Sequence, residues 1–204
     1  MNIFSLLEKR KAEIVEAVLK LADKFGVRGI TTRRIAEEVG FVEGSLYKHI
    51  KSKSDIFVMI IDAAFRLLKG KLEMLKNSEL TAREKIEDLL LYMLGFLQEF
   101  PGIYRIIFSD EVYLESPDTL EKFRNFTMGT VEEVSEIIKQ GIKKGEFRRD
   151  TDTETAALSF LGVIHTSFTL WNLFKNRKNS LIEEGKRLFN FFIKSIEIPK
   201  EAIQ

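Results

Sequence analysis

Polar caps set at intervals along the chain constrain its fold more than any other feature. A Ser or Thr followed three residues later by an acid lets each side chain satisfy a backbone donor left open at a helix start. The pattern occurs at Ser5 and Glu8, Ser52 and Asp55, Thr81 and Glu84, Thr151 and Glu154, and Ser180 and Glu183. Ser116-Pro117 adds a polar cap followed by proline at the first helical position. Each opens an apolar run that repeats at three and four. Ile14, Ala17, Val18, Leu21, Ala22 and Phe25 form one face of a helix ending near Gly26. Ile56, Met59, Ile60, Ala63, Ala64, Leu67 and Leu68 form the next long face. Ile86 to Leu97 is apolar on nearly every side, which predicts a central helix. Phe123, Phe126, Val131, Val134, Ile137, Ile138 and Ile142 mark another, closed by Lys143-Lys144-Gly145, and Leu188, Phe189, Phe192, Ile193 and Ile196 mark the last. No alternating segment of convincing length interrupts them, so the fold class is all-α. Short helices crowd residues 30–50 and long ones follow, which places a division near residue 50.

A chain of 204 residues buries a core without staples, and its zero cysteines exclude a disulfide scaffold, a thiolate metal site and a cysteine nucleophile. Net charge is +1, so bulk electrostatics announce no nucleic-acid partner. Residues 1–55 nevertheless carry eleven Lys/Arg against eight Asp/Glu, a weak excess. The apolar start Ile3-Phe4-Ser5-Leu6-Leu7 is too short for a signal peptide and precedes its charges, so a cytoplasmic protein is expected. Residues 155–174 carry no formal charge over a length that could span a bilayer. Ser159, His165, Thr166, Ser167, Thr169 and Asn172 would all need partners in hydrocarbon, so this is read as a helix buried by protein, with no membrane role.

Residues 31–53 have helix-turn-helix spacing. Ala36 lets two helices approach, Gly40 can take the left-handed turn between them, and Leu46 with Ile35, Val39 and Ile50 closes a shared core. The second helix then projects Ser45, Lys48 and His49 outward. The same pattern also occurs in helical hairpins with no DNA partner. With its flanks, Ala22 to Phe25-Gly26, Thr31-Thr32, Ile35-Ala36, Gly40, Gly44-Ser45-Leu46-Tyr47-Lys48-His49 and Lys53, the segment resembles the TetR family of transcriptional regulators. The resemblance implies a protomer of about nine helices. Residues 1–51 would form the DNA-binding domain, and 52–204 a ligand-binding and dimerisation domain, with a helix over 53–76 linking the two. It further implies that Thr32 and Arg33 hold a phosphate at a helix start, that Tyr47 and Lys53 touch the DNA backbone, and that Ser45, Lys48 and His49 face the major groove. Glu43 and Gly44 lie in the first turn of the recognition helix. Glu43 either complements the helix dipole or accepts from a cytosine amino group, and the structural role is favoured. Val42 leaves that helix without a side-chain cap, at a cost of about 1 kcal/mol.

Aromatic residues concentrate after residue 90. Any one of them is plain core more often than a ligand contact. Together with the family resemblance they nominate Phe65, Met93, Phe96, Phe100, Tyr104, Phe123, Phe126, His165 and Phe168 as lining for a small hydrophobic or aromatic effector. His165, taken alone, reads as a satisfied core histidine, and no metal site or cofactor is expected. Apolar surface on residues 155–174 and 182–196 exceeds what one helix pair hides, so Leu158, Leu161, Gly162, Leu188, Phe189 and Phe192 are assigned to a homodimer. Catalytic motifs are missing, and the acids Asp110, Glu111, Glu115 and Asp118 read as a solvated loop, so no enzyme is expected. The sequence therefore points to a ligand-responsive homodimeric regulator, a repressor in keeping with most of the family, that binds a near-palindromic double-stranded DNA operator and is released by its effector. The alternative is a helical carrier of hydrophobic ligands, or an interaction module, without DNA readout.

Overall fold

A computed structural model describes residues 3–115, 117–174 and 180–198. Within them the chain forms α1 (Lys9–Phe25), α2 (Thr32–Val39), α3 (Glu43–Leu46), α4 (Lys53–Lys76), α5 (Ala82–Glu99), α6 (Pro101–Ile107), α7 (Asp110–Glu115), α8 (Pro117–Lys143), α9 (Thr153–Leu173) and α10 (Leu181–Ile196). Short 3-10 turns occupy Ile3–Leu6 and Val27–Gly29. The extended pairing seen among the described residues is an isolated bridge between Phe147 and Glu197, so the architecture is all-α.

Cap chemistry explains several of these starts. Ser52 and Asp55 exchange bonds, the Ser52 N–H donating to the carboxylate at 2.9 Å and the Asp55 N–H to the hydroxyl at 3.2 Å, immediately before α4. Thr81 and Glu84 do the same before α5, and Ser180 and Glu183 form a reciprocal box before α10. Two of the expected boxes do not set a boundary. Ser5 lies inside the first 3-10 turn, and Glu8 is itself the N-cap residue of α1, with no side-chain cap bond. At α9 the cap is Asp152 rather than Thr151, its carboxylate accepting from the N–H groups of Glu154 and Thr155 at 3.2 Å. Ser116 falls outside the described residues. Glycines with positive φ stop helices where the periodicity ends, at Gly26, Gly40 and Gly145.

The packing divides the chain into two compact units, one of Met1–Leu68 with Glu99–Phe126 and one of Lys69–Gln98 with Thr127–Gln204. This is a different partition from the functional one drawn at residues 51 and 52. In the first unit α1 packs on α2 and α6. Gly102 makes the latter contact possible, since a Cβ there would strike the Leu19 carbonyl oxygen. The core of this unit holds Ile14, Val18, Ile35, Ala36, Leu46, Ile56 and Phe57. In the second unit α9 and α10 pack along each other, and Gly185 meets the Leu94 side chain closely. No residue of α5 from Lys85 to Leu97 is exposed, as its all-round apolar pattern predicts.

One expectation about α9 is only half met. The helix is long and apolar enough to cross a membrane, yet only about a third of its most apolar window is buried within the protomer. Ala156, Ala157, Phe160, Ile164, Ser167 and Phe168 face inward, while Leu158, Ser159, Gly162, His165 and Thr166 are exposed. His165 is therefore a surface residue of the protomer and not a core histidine.

Candidate nucleic-acid interface

Helix α2 starts on Thr31, whose hydroxyl accepts from the Arg34 N–H at 3.2 Å. Arg34 in turn donates to the Gly29 carbonyl at 3.0 Å and lies over the Phe25 ring, fixing the turn that enters α2. Thr31 and Arg34 were not legible as positioning residues, because adjacent threonines leave the cap ambiguous by one position. Thr32, the first helical residue, donates its hydroxyl to the Glu43 carboxylate at 2.6 Å. That bond ties the start of α2 to the start of α3 through the Glu43 side chain. Arg33 is well exposed and pairs with Glu37 one turn on, at 2.9 Å. The pair holds the guanidinium more firmly protonated than usual, chiefly through the Glu37 hydrogen bond.

Gly40, at φ 77°, closes α2, and Val42 enters α3 without a side-chain cap. Helix α3 lasts only four residues. Beyond it the backbone continues in tight turns, with N–H groups of Lys48 and His49 bonded to the carbonyls of Ser45 and Leu46 at 3.2 and 2.9 Å. The recognition element is thus shorter and more tightly wound than a regular helix through His49. Leu46 is fully buried, whereas Gly44, Tyr47 and Lys48 are exposed and Ser45 is half-buried. His49 is half-buried with its ring 5.7 Å from that of Phe41, which Arg10 covers from 5.6 Å. Lys53, the first residue of α4, is half-buried, and its ammonium lies 2.9 Å from Glu115.

The nominated effector residues fall into both units. In the first, Phe65 stacks on Phe126 at 3.6 Å, and Phe123 meets Phe108 and Tyr113, each at 5.6 Å. Tyr104 joins this group through Phe108 at 4.5 Å, and Phe100 meets Phe4 edge-on at 5.5 Å. Phe65, Phe100, Tyr104, Phe123 and Phe126 are all half-buried. In the second unit Phe96 and Phe168 are buried, Met93 is half-buried, and His165 is exposed. Tyr113, which sequence reasoning passed over, donates its hydroxyl to the Ile107 carbonyl. Burial and the nearby Asp110 charge push it up to about 12, so it stays a donor at neutral pH.

The dimerisation candidates divide in the same way. Leu158 and Gly162 are exposed and Leu161 and Leu188 half-buried, but Phe189 and Phe192 are buried in the protomer, with Phe192 against Phe160 at 6.2 Å. Phe191 is left outside, 83% exposed. The acids assigned to a solvated loop are also placed differently. Asp110, Glu111 and Glu115 belong to α7, and Asp118 lies in the first turn of α8. Glu111 and Glu115 are ion-paired, with Arg28 and Lys53. Among the described residues no cluster of His, Asp and Glu is arranged to hold a metal ion.

A capped helix, a left-handed glycine turn and a short second helix, followed by long apolar helices, define a helix-turn-helix regulator with an effector domain. Residues 14–59 match the family of bacterial regulatory proteins named for TetR, and residues 79–171 match the tetracyclin repressor-like C-terminal domain. The chain belongs to the TetR family, as a dimeric DNA-binding regulator with a domain for a small-molecule effector. Among curated relatives, nucleoid occlusion factor SlmA of Actinobacillus pleuropneumoniae is 24% identical over 146 residues, covering 71% of this chain and 72% of that protein. Two solved structures share the fold. The ketosteroid transcriptional regulator KstR2 of Mycobacterium tuberculosis superposes with a TM-score of 0.81 at 18% identity, covering 95% of this chain and 97% of that one. FadR of Bacillus subtilis, in complex with stearoyl-CoA, gives 0.72 at 18% identity, covering 91% and 98%.

Proposed function

We infer that the protein is a cytoplasmic repressor that leaves its operator when a hydrophobic effector binds, and that it acts by binding alone, without a catalytic step. Residues 1–51 read DNA, and residues 52–204 bind the effector and dimerise. The observation that carries this reading is the α2–Gly40–α3 unit, in which Leu46 anchors the core while Gly44, Tyr47 and Lys48 stay accessible. Thr32, Arg33, Tyr47 and Lys53 bind phosphates, whereas Ser45, Lys48 and His49 meet base edges, Lys48 as a donor to guanine. Two such elements related by a two-fold axis enter grooves about one helical turn apart, roughly 34–36 Å, so the operator is a near-palindrome. The half-buried aromatic residues and the acyl-CoA complex of FadR support a long-chain acyl or similarly apolar effector.

Selection on random duplex DNA at two salt concentrations tests the DNA reading. An enriched inverted repeat is expected, and Lys48→Ala should relax preference at one position by about 1–3 kcal/mol. Equal losses on every sequence would remove Lys48 from base readout. Enrichment of nothing, by folded protein stripped of bound lipid, would favour the carrier alternative. Stearoyl-CoA and free stearate, titrated against the enriched duplex, then test the effector class.

A further inference from the structure

Helix α7 sends two carboxylates onto cations of the DNA-binding region, all within the first compact unit. Glu115 holds the Lys53 ammonium at 2.9 Å across 62 positions of sequence, and its carbonyl lies 3.5 Å from the Ser54 hydroxyl. Glu111 pairs with Arg28, in the turn before α2, across 83 positions. Lys53 opens α4, a helix of 24 residues whose N-terminus favours negative charge. The Glu115 carboxylate therefore occupies the electrostatic position that a DNA phosphate would take. Exposed pairs of this kind contribute little to stability. Their larger consequence is that Glu115 neutralises Lys53, the cation read as a phosphate contact.

We propose that α7 is an acidic latch: Glu115 competes with operator phosphate for Lys53, and the position of α7 sets how much of that cation DNA can use. The proposal rests on the reading of Lys53 as a phosphate contact. The placement of α7 is controlled by aromatic packing. Val112 is buried, and Tyr113 stacks on Phe123 and bonds the Ile107 carbonyl. Phe123 is joined through Phe108 to Tyr104. A ligand that rearranges Tyr104 or Phe123 thus acts on the neighbour of the latch, and the ion pair converts that movement into a change of phosphate affinity.

Counterion release gives the latch a signature. When phosphate takes Lys53 from Glu115, DNA loses a counterion while the freed carboxylate gains one, so the contact adds little to the salt dependence. With Glu115→Gln no carboxylate is freed, and the slope of log affinity against log salt should steepen by about one, so the variant's affinity advantage grows about fourfold between roughly 200 and 50 mM salt. The probe is a random-sequence duplex of about three helical turns, because a backbone contact needs no operator. Glu115→Gln and Glu115→Ala should both bind more tightly at low salt with the steeper slope, and Lys53→Ala should bind more weakly. In the Glu115→Gln/Lys53→Ala double variant the gain should vanish. Wild-type binding by Lys53→Ala would remove the phosphate role of Lys53, and the latch with it. Weak binding by Lys53→Ala, combined with no effect of Glu115→Gln or with a gain that persists in the double variant, would overturn the latch alone.

Discussion

Between Ile30 and Lys53 the large apolar side chains left in solvent are Val42 and Tyr47, each followed directly by a charged residue, Glu43 and Lys48. Along α9 and α10 the exposed set is Leu158, Leu173 and Phe191, and no charged residue occurs from Thr155 to Leu173. The first region holds its shape through bonds between side chain and backbone, at Thr31, Arg34 and Glu43, and offers donors. The second offers area. Recognition by donors depends on salt and reads chemical pattern, as DNA requires. Recognition by area is driven by desolvation and suits a second copy of the same helix pair. The two surfaces are therefore separable by what weakens each of them.

The largest effect expected is from Leu46→Ala. This fully buried side chain closes the helix-turn-helix core, and its truncation should cost about 2–5 kcal/mol. DNA binding should be lost while sedimentation still shows a dimer; a monomer would mean that the two regions are not separable. Phe191→Glu makes the converse cut. A charge on the most exposed aromatic of α10 should weaken self-association by about 2 kcal/mol or more. The far-ultraviolet spectrum should be unchanged, and binding to a single half-site should persist. An unaltered dimer would remove Phe191 from the interface.

Much of this contrast is legible in the sequence because its causes are local. Gly26, Gly40 and Gly145 fall where a periodic run stops, and each takes a positive φ. Ser52 and Asp55 place the start of α4 to the residue. What escaped depends on partners distant in the chain or on competition between neighbours. Phe189, Phe191 and Phe192 lie within four positions, and which of them face outward depends on how α10 packs against α9. Glu115 and Lys53 are 62 positions apart, and no periodicity connects them. Gly102 looks like an ordinary helix-start residue until Leu19 is brought against it. At the candidate interface α3 ends early, because the N–H groups of Lys48 and His49 bond three residues back and the Leu46 carbonyl is shared with the Ile50 N–H, which replaces the regular helix after Leu46.

The smallest expected effect asks whether the uncharged helix α9 still depends on charge at its start. Asp152 is held below the usual carboxylate range, first by the Thr155 hydroxyl and then by backbone N–H groups. A carboxylate with a depressed folded pKa contributes stability that is fully present above its unfolded value, about 4, and is lost as pH falls through the folded value. Asp152→Ala should therefore lower the melting temperature at neutral pH by about one or two degrees. The difference from wild type should shrink as pH falls below the ordinary carboxylate range and vanish once the folded carboxyl is protonated. Melting curves of the two proteins across that range decide it. A difference independent of pH would mean that Asp152 acts through its backbone conformation, and that α9 is set by packing alone along its whole length.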